Sequence, residues 1–172
     1  MTRKCGACQV CCKLLPVREL SKPANTRCKH QRHGKGCMIY GKAPMSCALW
    51  NCRWLVNDAG ETSRPDHAGY AIDIMPDFLT LDQEDGQTNV PAIQIWADPA
   101  RPLAYRDPAL YAYLASQWEE RQALGLVRFD SKAALVLIPP AWSGAKHWIE
   151  QGGVPAGREH SFREVAQVLS SR

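Results

Sequence analysis

The chain is predicted to be an α+β protein, with a loop-rich N-terminal cysteine module packed on a small, mainly antiparallel sheet with covering helices. Three observations predict it. All eight cysteines fall between Cys5 and Cys52, in a stretch poor in apolar periodicity. Short alternating or apolar runs follow Asn57. Among them "RDPALYAYLASQWEERQALG" carries a helix start, a mixed apolar stripe and a closing glycine. A chain of 172 residues can build one core, or a small module joined to a larger one. The expected division is a cysteine-rich metal-binding module over 1–56 and an α+β region over 57–172, packed together as one unit.

The module comes first. "CGACQVCC" spaces four thiols as C-x2-C-x2-C-C, and Cys28, Cys37, Cys47 and Cys52 follow. A C-x2-C turn lets two sulfurs and nearby backbone N–H groups converge on one ion, which favours thiolate over thiol and suits zinc. Cys5 with Cys8 is one such pair, and Cys8 with Cys11 is a second candidate. Neighbouring residues of an extended segment point to opposite sides, so Cys11 and Cys12 are expected to serve two metals or a bridged cluster. Two zinc sites of four thiolates consume all eight cysteines, whereas one iron–sulfur cluster uses four and leaves four unexplained. C-x2-C-x2-C also opens the bacterial ferredoxin motif, but the C-x3-C-P continuation is missing here. The expected metal ligands are therefore Cys5, Cys8, Cys11, Cys12, Cys28, Cys37, Cys47 and Cys52. Zinc is the expected metal, with iron or an iron–sulfur cluster as the alternative. His30 and His33, near Cys28, are alternative donors, read in preference as solvated loop residues; His67, His147 and His160 are ordinary polar residues.

The net charge of +4 hides a division. Through Trp54 there are eleven Lys and Arg against one acid, Glu19; beyond it there are ten against sixteen, so +10 is followed by −6. Eight thiolates on two divalent cations would add −8 + 4 = −4 to the first part, leaving +6 and giving its bases a local charge to offset. That reading is preferred to nucleic-acid binding, which remains a possible partner class, because no aromatics for stacking interleave with "RCKHQRHGKG".

"CGACQVCC", then "CKHQRHGKGCMIYGKAPMSC" and "CALWNC", resemble the YkgJ-type cysteine-cluster family, a zinc- or iron-chelating domain. The resemblance covers residues 5 to 54, including Tyr40 and Pro44 in "CMIYGKAPMSC". Many members carry Arg before that proline where this chain has Ala43, which removes a charge near the cluster without touching a ligand. Flagellar lysine methylases show a similar cysteine pattern, so the resemblance allows a redox or modifying role without assigning one.

Within the module "SKPANTRCKHQRHGKG" reads as loop. "APMSCALWNCRWLV" reads as a short helix with Ser46 as N-cap, on which Trp50 and Trp54 share a face that packs the module against the rest of the chain. Cys47 and Cys52, five apart, lie about 140° from each other around such a helix, so one is expected at its frayed end. "GYAIDIM", "FLTLD", "PAIQIWA", "LVRF" and "AALVLIP" read as strands, with an Asp-Gly turn in "EDGQTN". Asp82, Glu84 and Asp85 read as a solvated turn rather than a calcium loop, because Leu81 would occupy its first ligand position. Asp107 caps the long helix, Pro108 opens it and Gly125 is expected to stop it. "SFREVAQVLSS" reads as a last short helix.

No sequence signature for catalysis is present, neither G-x-S-x-G, P-loop, dinucleotide fingerprint nor H-E-x-x-H. Glu119 and Glu120 are adjacent on a helix and diverge. Ser143, Lys146 and His147 in "WSGAKHW" read as a polar loop between packed tryptophans. No apolar run is long enough to span a bilayer, and the basic start lacks a signal peptide's apolar middle. The expected compartment is the cytoplasm, where thiols stay reduced and eight cysteines are metal ligands or redox centres rather than disulfides. The first function expected is structural metal binding. An iron–sulfur redox protein, or an accessory to an iron-dependent modifying enzyme, is the second. An adaptor using the basic module to hold nucleic acid or an unidentified protein partner is the third.

Overall fold

A computed structural model describes residues 3–83, 86–130 and 133–155. The expected helix over 161–171, His160, and the turn at 84–85 lie outside the described residues. The module contains helix α1 (Val10–Leu14), a two-stranded ribbon of β1 (Gln31–Arg32) and β2 (Gly36–Cys37), and helix α2 (Met45–Leu49). Helix α3 (Pro65–Ala68) then leads into a six-stranded sheet. Its strands are β3 (Tyr70–Ile72), β4 (Asp77–Gln83), β5 (Gly86–Ala97), β6 (Leu124–Arg128), β7 (Ala133–Ile138) and β8 (Ile149–Pro155). Helix α4 (Pro108–Arg121) joins β5 to β6, and helix α5 (Pro140–Ser143) joins β7 to β8. The fold is α+β.

The twelve-residue β5 organises the sheet. β4 pairs with its first half, Gln83 opposite Gly86 and Asp77 opposite Ala92. β3 pairs with its second half, Tyr70 opposite Ala97. Both are antiparallel and lie on the same side of β5, interrupted between Ile72 and Asp77. On the other side β6 runs parallel to β5, the one parallel pair of the sheet, as the helical crossover α4 requires. β7 and β8 complete the order as antiparallel neighbours.

Alternation along the strands gives the sheet two faces. Ile93 and Ile95 of β5, Val127 of β6 and Leu137 of β7 face Leu110, Tyr113 and Leu114 of α4 in the larger core cluster. The other face carries Ala92, Leu124, Leu126 and Val136 at one end. Towards its other end the same registers place Gln94, Trp96 and Arg128, and the Arg128 side chain reaches back to Asp77, opposite Ala92. The cysteine module lies over this polar end.

Several expectations change. Asp107 does cap α4, its carboxylate accepting from the Ala109 N–H at 2.9 Å and from the Tyr70 hydroxyl at 2.6 Å. Gly125 does not end the helix: Gln122 does, in the left-handed region at φ 55°. Gly125 lies in β6, where a Cβ would stand 2.9 Å from Leu114 Cδ1 and 3.0 Å from Leu137 Cβ, so its bareness lets helix and strand approach. On the mixed stripe of the helix Leu110, Tyr113, Leu114 and Gln117 are buried and Arg121 is exposed. Helix α2 starts after Pro44, not Ser46, and ends at Trp50, which turns extended. Ser46 instead binds Glu19, its hydroxyl donating at 2.8 Å. Trp50 and Trp54 thus share no helix face, yet Trp50 donates to Asp73 at 2.7 Å and Trp54 packs against the larger core cluster.

Candidate metal centre

The first cysteines are arranged by local backbone. The Cys8 N–H donates to the Cys5 carbonyl at 2.9 Å, closing a turn in which Gly6 takes φ 54°, a left-handed value that glycine accepts without strain. The chain then enters α1. Cys11 and Cys12 are therefore helical and about 100° apart around the axis, not on opposite sides of an extended strand as expected. From there backbone bonds bring in the later cysteines. The Cys28 N–H donates to the Cys12 carbonyl at 3.0 Å, and the Gln31 N–H to the Cys28 carbonyl at 3.0 Å. Gln31 is paired in turn with Cys37 across the ribbon. Cys47 sits within α2. Cys52 lies beyond that helix and forms an antiparallel bridge with Asp73, at the break between β3 and β4.

All eight are free thiols, from exposed Cys5 and Cys47 to buried Cys52. All eight line one cavity of ≈ 670 Å³, floored by the polar end of the sheet. Neither His30 nor His33 lines it; His33, His67 and His147 are exposed, as solvated residues should be. As placed, no three of the Cys, His, Asp and Glu side chains among the described residues meet tightly enough to hold a metal ion. The thiols ring the space rather than converging on a point.

The floor holds a buried carboxylate. Asp73, 5% exposed, accepts from the Trp50 indole at 2.7 Å, the Trp96 indole at 3.1 Å and the Met75 N–H at 2.8 Å. Burial raises its pKa against the effect of these donors. Beside it Arg128 holds Asp77 at 3.2 Å. Arg53 donates to the Asp73 carbonyl at 3.0 Å and pairs with Asp58, so the segment after Cys52 is fixed to the sheet. Lys13 does the same for α1 through Asp98 at 2.6 Å.

Lys22 is buried as well, 7% exposed like Arg53. Its ammonium donates to the carbonyls of Lys13 at 3.2 Å, Pro23 at 3.2 Å and Leu15. Burial lowers its pKa, opposed by the charges of Cys28, Cys12, Cys47 and Cys11. Burial pushes the thiols of Cys5, Cys8, Cys47 and Cys52 above the ordinary range. Cys11 and Cys12 share a hydrogen bond that raises the first and lowers the second, whose thiolate Lys22 also favours. Thiolate sulfur is a preferred donor to zinc, so eight free thiols around one cavity form a donor set that suits a divalent metal binding with proton release.

Sequence reasoning did not single out Lys22, which looked like any loop lysine. Asp73 did leave a signal, a carboxylate inside the apolar run "GYAIDIM" that burial obliges to find donors. Ser143 ends helix α5 rather than lying in a loop, and donates to the Pro139 carbonyl at 3.2 Å, while Trp142 stacks on Trp118 and Trp148 on Tyr111, so the tryptophans are packed as expected. No protein-family model, no characterised protein and no solved structure matches this chain.

Proposed function

We propose that this chain is a metal-binding protein of the YkgJ-type cysteine-cluster kind, holding two zinc ions through its eight thiolates. One observation carries the reading: free thiols spread from Cys5 to Cys52 all line a single cavity. The module has little else to hold it. Of residues 3–51 only Leu14, Val17 and Lys22 are buried, too few to fix so many loops by apolar packing. Zinc bound to thiolates supplies the missing cross-links, and its binding free energy becomes folding free energy. The cysteines act as ligands, and the contacts of Lys13, Trp50 and Arg53 anchor the liganded loops to the sheet. A set of metal-ligating thiols fits a reducing, cytoplasmic setting. Among the described residues no helix is long and apolar enough to cross a membrane.

Tyr40, Met45 and Leu49 are 84%, 68% and 67% exposed on the stretch that carries Cys37 and Cys47, which favours a protein partner over nucleic acid. Protein purified without oxygen and analysed for metal and sulfide tests the proposal. Two zinc per chain, without colour, is the expected result. A brown protein containing iron and sulfide establishes the iron–sulfur alternative. A chain that neither contains nor takes up metal refutes both.

A further inference from the structure

We propose that the thiols divide into an inner site of Cys5, Cys8, Cys11 and Cys52 against the sheet, and an outer site of Cys12, Cys28, Cys37 and Cys47. In this arrangement the buried Lys22 ammonium sets a positive charge beside the outer site. The inference rests on the metal-binding reading and adds what the sequence leaves open, the partition.

The backbone places the two sets. The turn from Cys5 to Cys8 precedes α1, with Cys11 three residues beyond Cys8, while Cys52 is held at the sheet by its bridge to Asp73. Most of the neighbours felt by the thiols agree, and the exception, Cys12 acting on Cys5, falls where the sets meet. Cys52 lies within reach of the charges of Cys5 and Cys8, and Cys11 within reach of the same two. The outer set is strung together by the bonds from Cys28 to Cys12 and from Gln31 to Cys28, and by the pairing of Gln31 with Cys37. Cys47 feels Cys12 and Cys28. The hydrogen-bonded Cys11 and Cys12 stand where the sets meet, and their 100° separation on the helix turns them towards different sets.

Lys22 faces mainly the outer set, with Cys28, Cys12 and Cys47 as its strongest charged neighbours. Its N–H groups are directed at three carbonyls, so the ammonium is held in place while its charge acts on the thiolates. A divalent ion with four thiolates carries −2, and Lys22 reduces this to −1 for the outer site. The cations beside the inner set are already paired: Arg53, next to Cys52 and as buried as Lys22, with Asp58, and Arg64, which acts on Cys5 and Cys8, with Asp66, whereas Lys22 donates to carbonyls. The sites are thus unequal.

The test uses the zinc-loaded full chain. A chelator removes one equivalent of zinc, a short pulse of N-ethylmaleimide labels the freed thiols, and peptide mass spectrometry locates the label. The expected result is label on four cysteines of one set, with the other four protected. Label scattered over both sets while zinc is bound overturns the partition alone; a chain that binds no zinc overturns the metal reading and the partition together. Lys22→Met should weaken zinc retention at the outer site by about 10- to 100-fold with the inner site unchanged, and Lys22→Arg should restore most of it. Equal weakening of both sites, or failure of arginine to rescue, overturns the role of Lys22.

Discussion

Removing the Asp73 carboxylate should loosen the joint between module and sheet. In Asp73→Ala the Trp96 indole, on a residue only 7% exposed, loses its acceptor. An orphaned buried donor costs about 1–3 kcal/mol. The half-buried Trp50 regains water and loses less, and the mutation also relieves the desolvation of a buried carboxylate, so the net loss is about 2 kcal/mol. In a chain of this size that lowers the melting temperature by roughly 4–8 °C. Burial holds the Asp73 pKa above its unfolded value. The contribution of Asp73 is therefore full below the unfolded pKa and declines as pH rises through the folded one, so the gap between wild type and variant should be widest in acid. Thermal unfolding of zinc-loaded protein, followed by circular dichroism, measures the loss. The decisive step is a double-mutant cycle with Trp50→Phe, which removes the module's own donor. Coupling of about 1 kcal/mol is expected, because both changes break the same bond. Strict additivity, or a melting point of Asp73→Ala within a degree of wild type, would refute the argument that this carboxylate ties the module down.

Gly125→Val should destabilise the protein by about 1–3 kcal/mol in urea unfolding, since Leu114 and Leu137 already occupy the space a side chain needs. Asp107→Ala should cost about 1 kcal/mol for the lost cap, with a further loss from the Tyr70 hydroxyl left without its acceptor, measured the same way. Arg106 first, then Tyr105 and Tyr111, lower the pKa of Glu150. Its contribution is therefore present above its unfolded pKa and lost as pH falls through the folded one, and Glu150→Gln should flatten the acid limb of the stability profile. Replacing His30 and His33 together with alanine should leave the zinc count unchanged by native mass spectrometry, because neither lines the thiol cavity.

The sheet was legible because its strands are written in alternating or apolar runs, and Asp107-Pro108 announced α4 unambiguously. β8 escaped because "IEQGGVP" has two glycines and no alternation, and it is held by pairing along β7 instead. Helix α1 escaped because five residues are too few to show a period, and cysteine favours neither helix nor strand strongly. Gly125 misled because a glycine after a helical run usually marks its end, whereas here close approach of α4 explains it. At the site, spacing identified the thiols as a candidate ligand set. Their grouping was illegible, because it depends on which way α1 turns Cys11 and Cys12 and on where the distant Asp73 meets Cys52. Lys22 was illegible for the same reason, as burial is a property of the assembled loops.

The long-range tethers of the module bear on the order in which the protein can assemble. Asn25 donates to the carbonyl of Phe129, 104 residues later, and Lys13 reaches Asp98 across 85. Contacts so remote in sequence form late, since much of the intervening chain must be in place first. During synthesis the cysteines emerge early and wait for β5 and β6 before their platform exists. Through that interval nothing in the finished architecture shields them, and oxidation or capture by the wrong ion competes with docking. The newborn chain's thiols are consequently most open to oxidation before its sheet has closed.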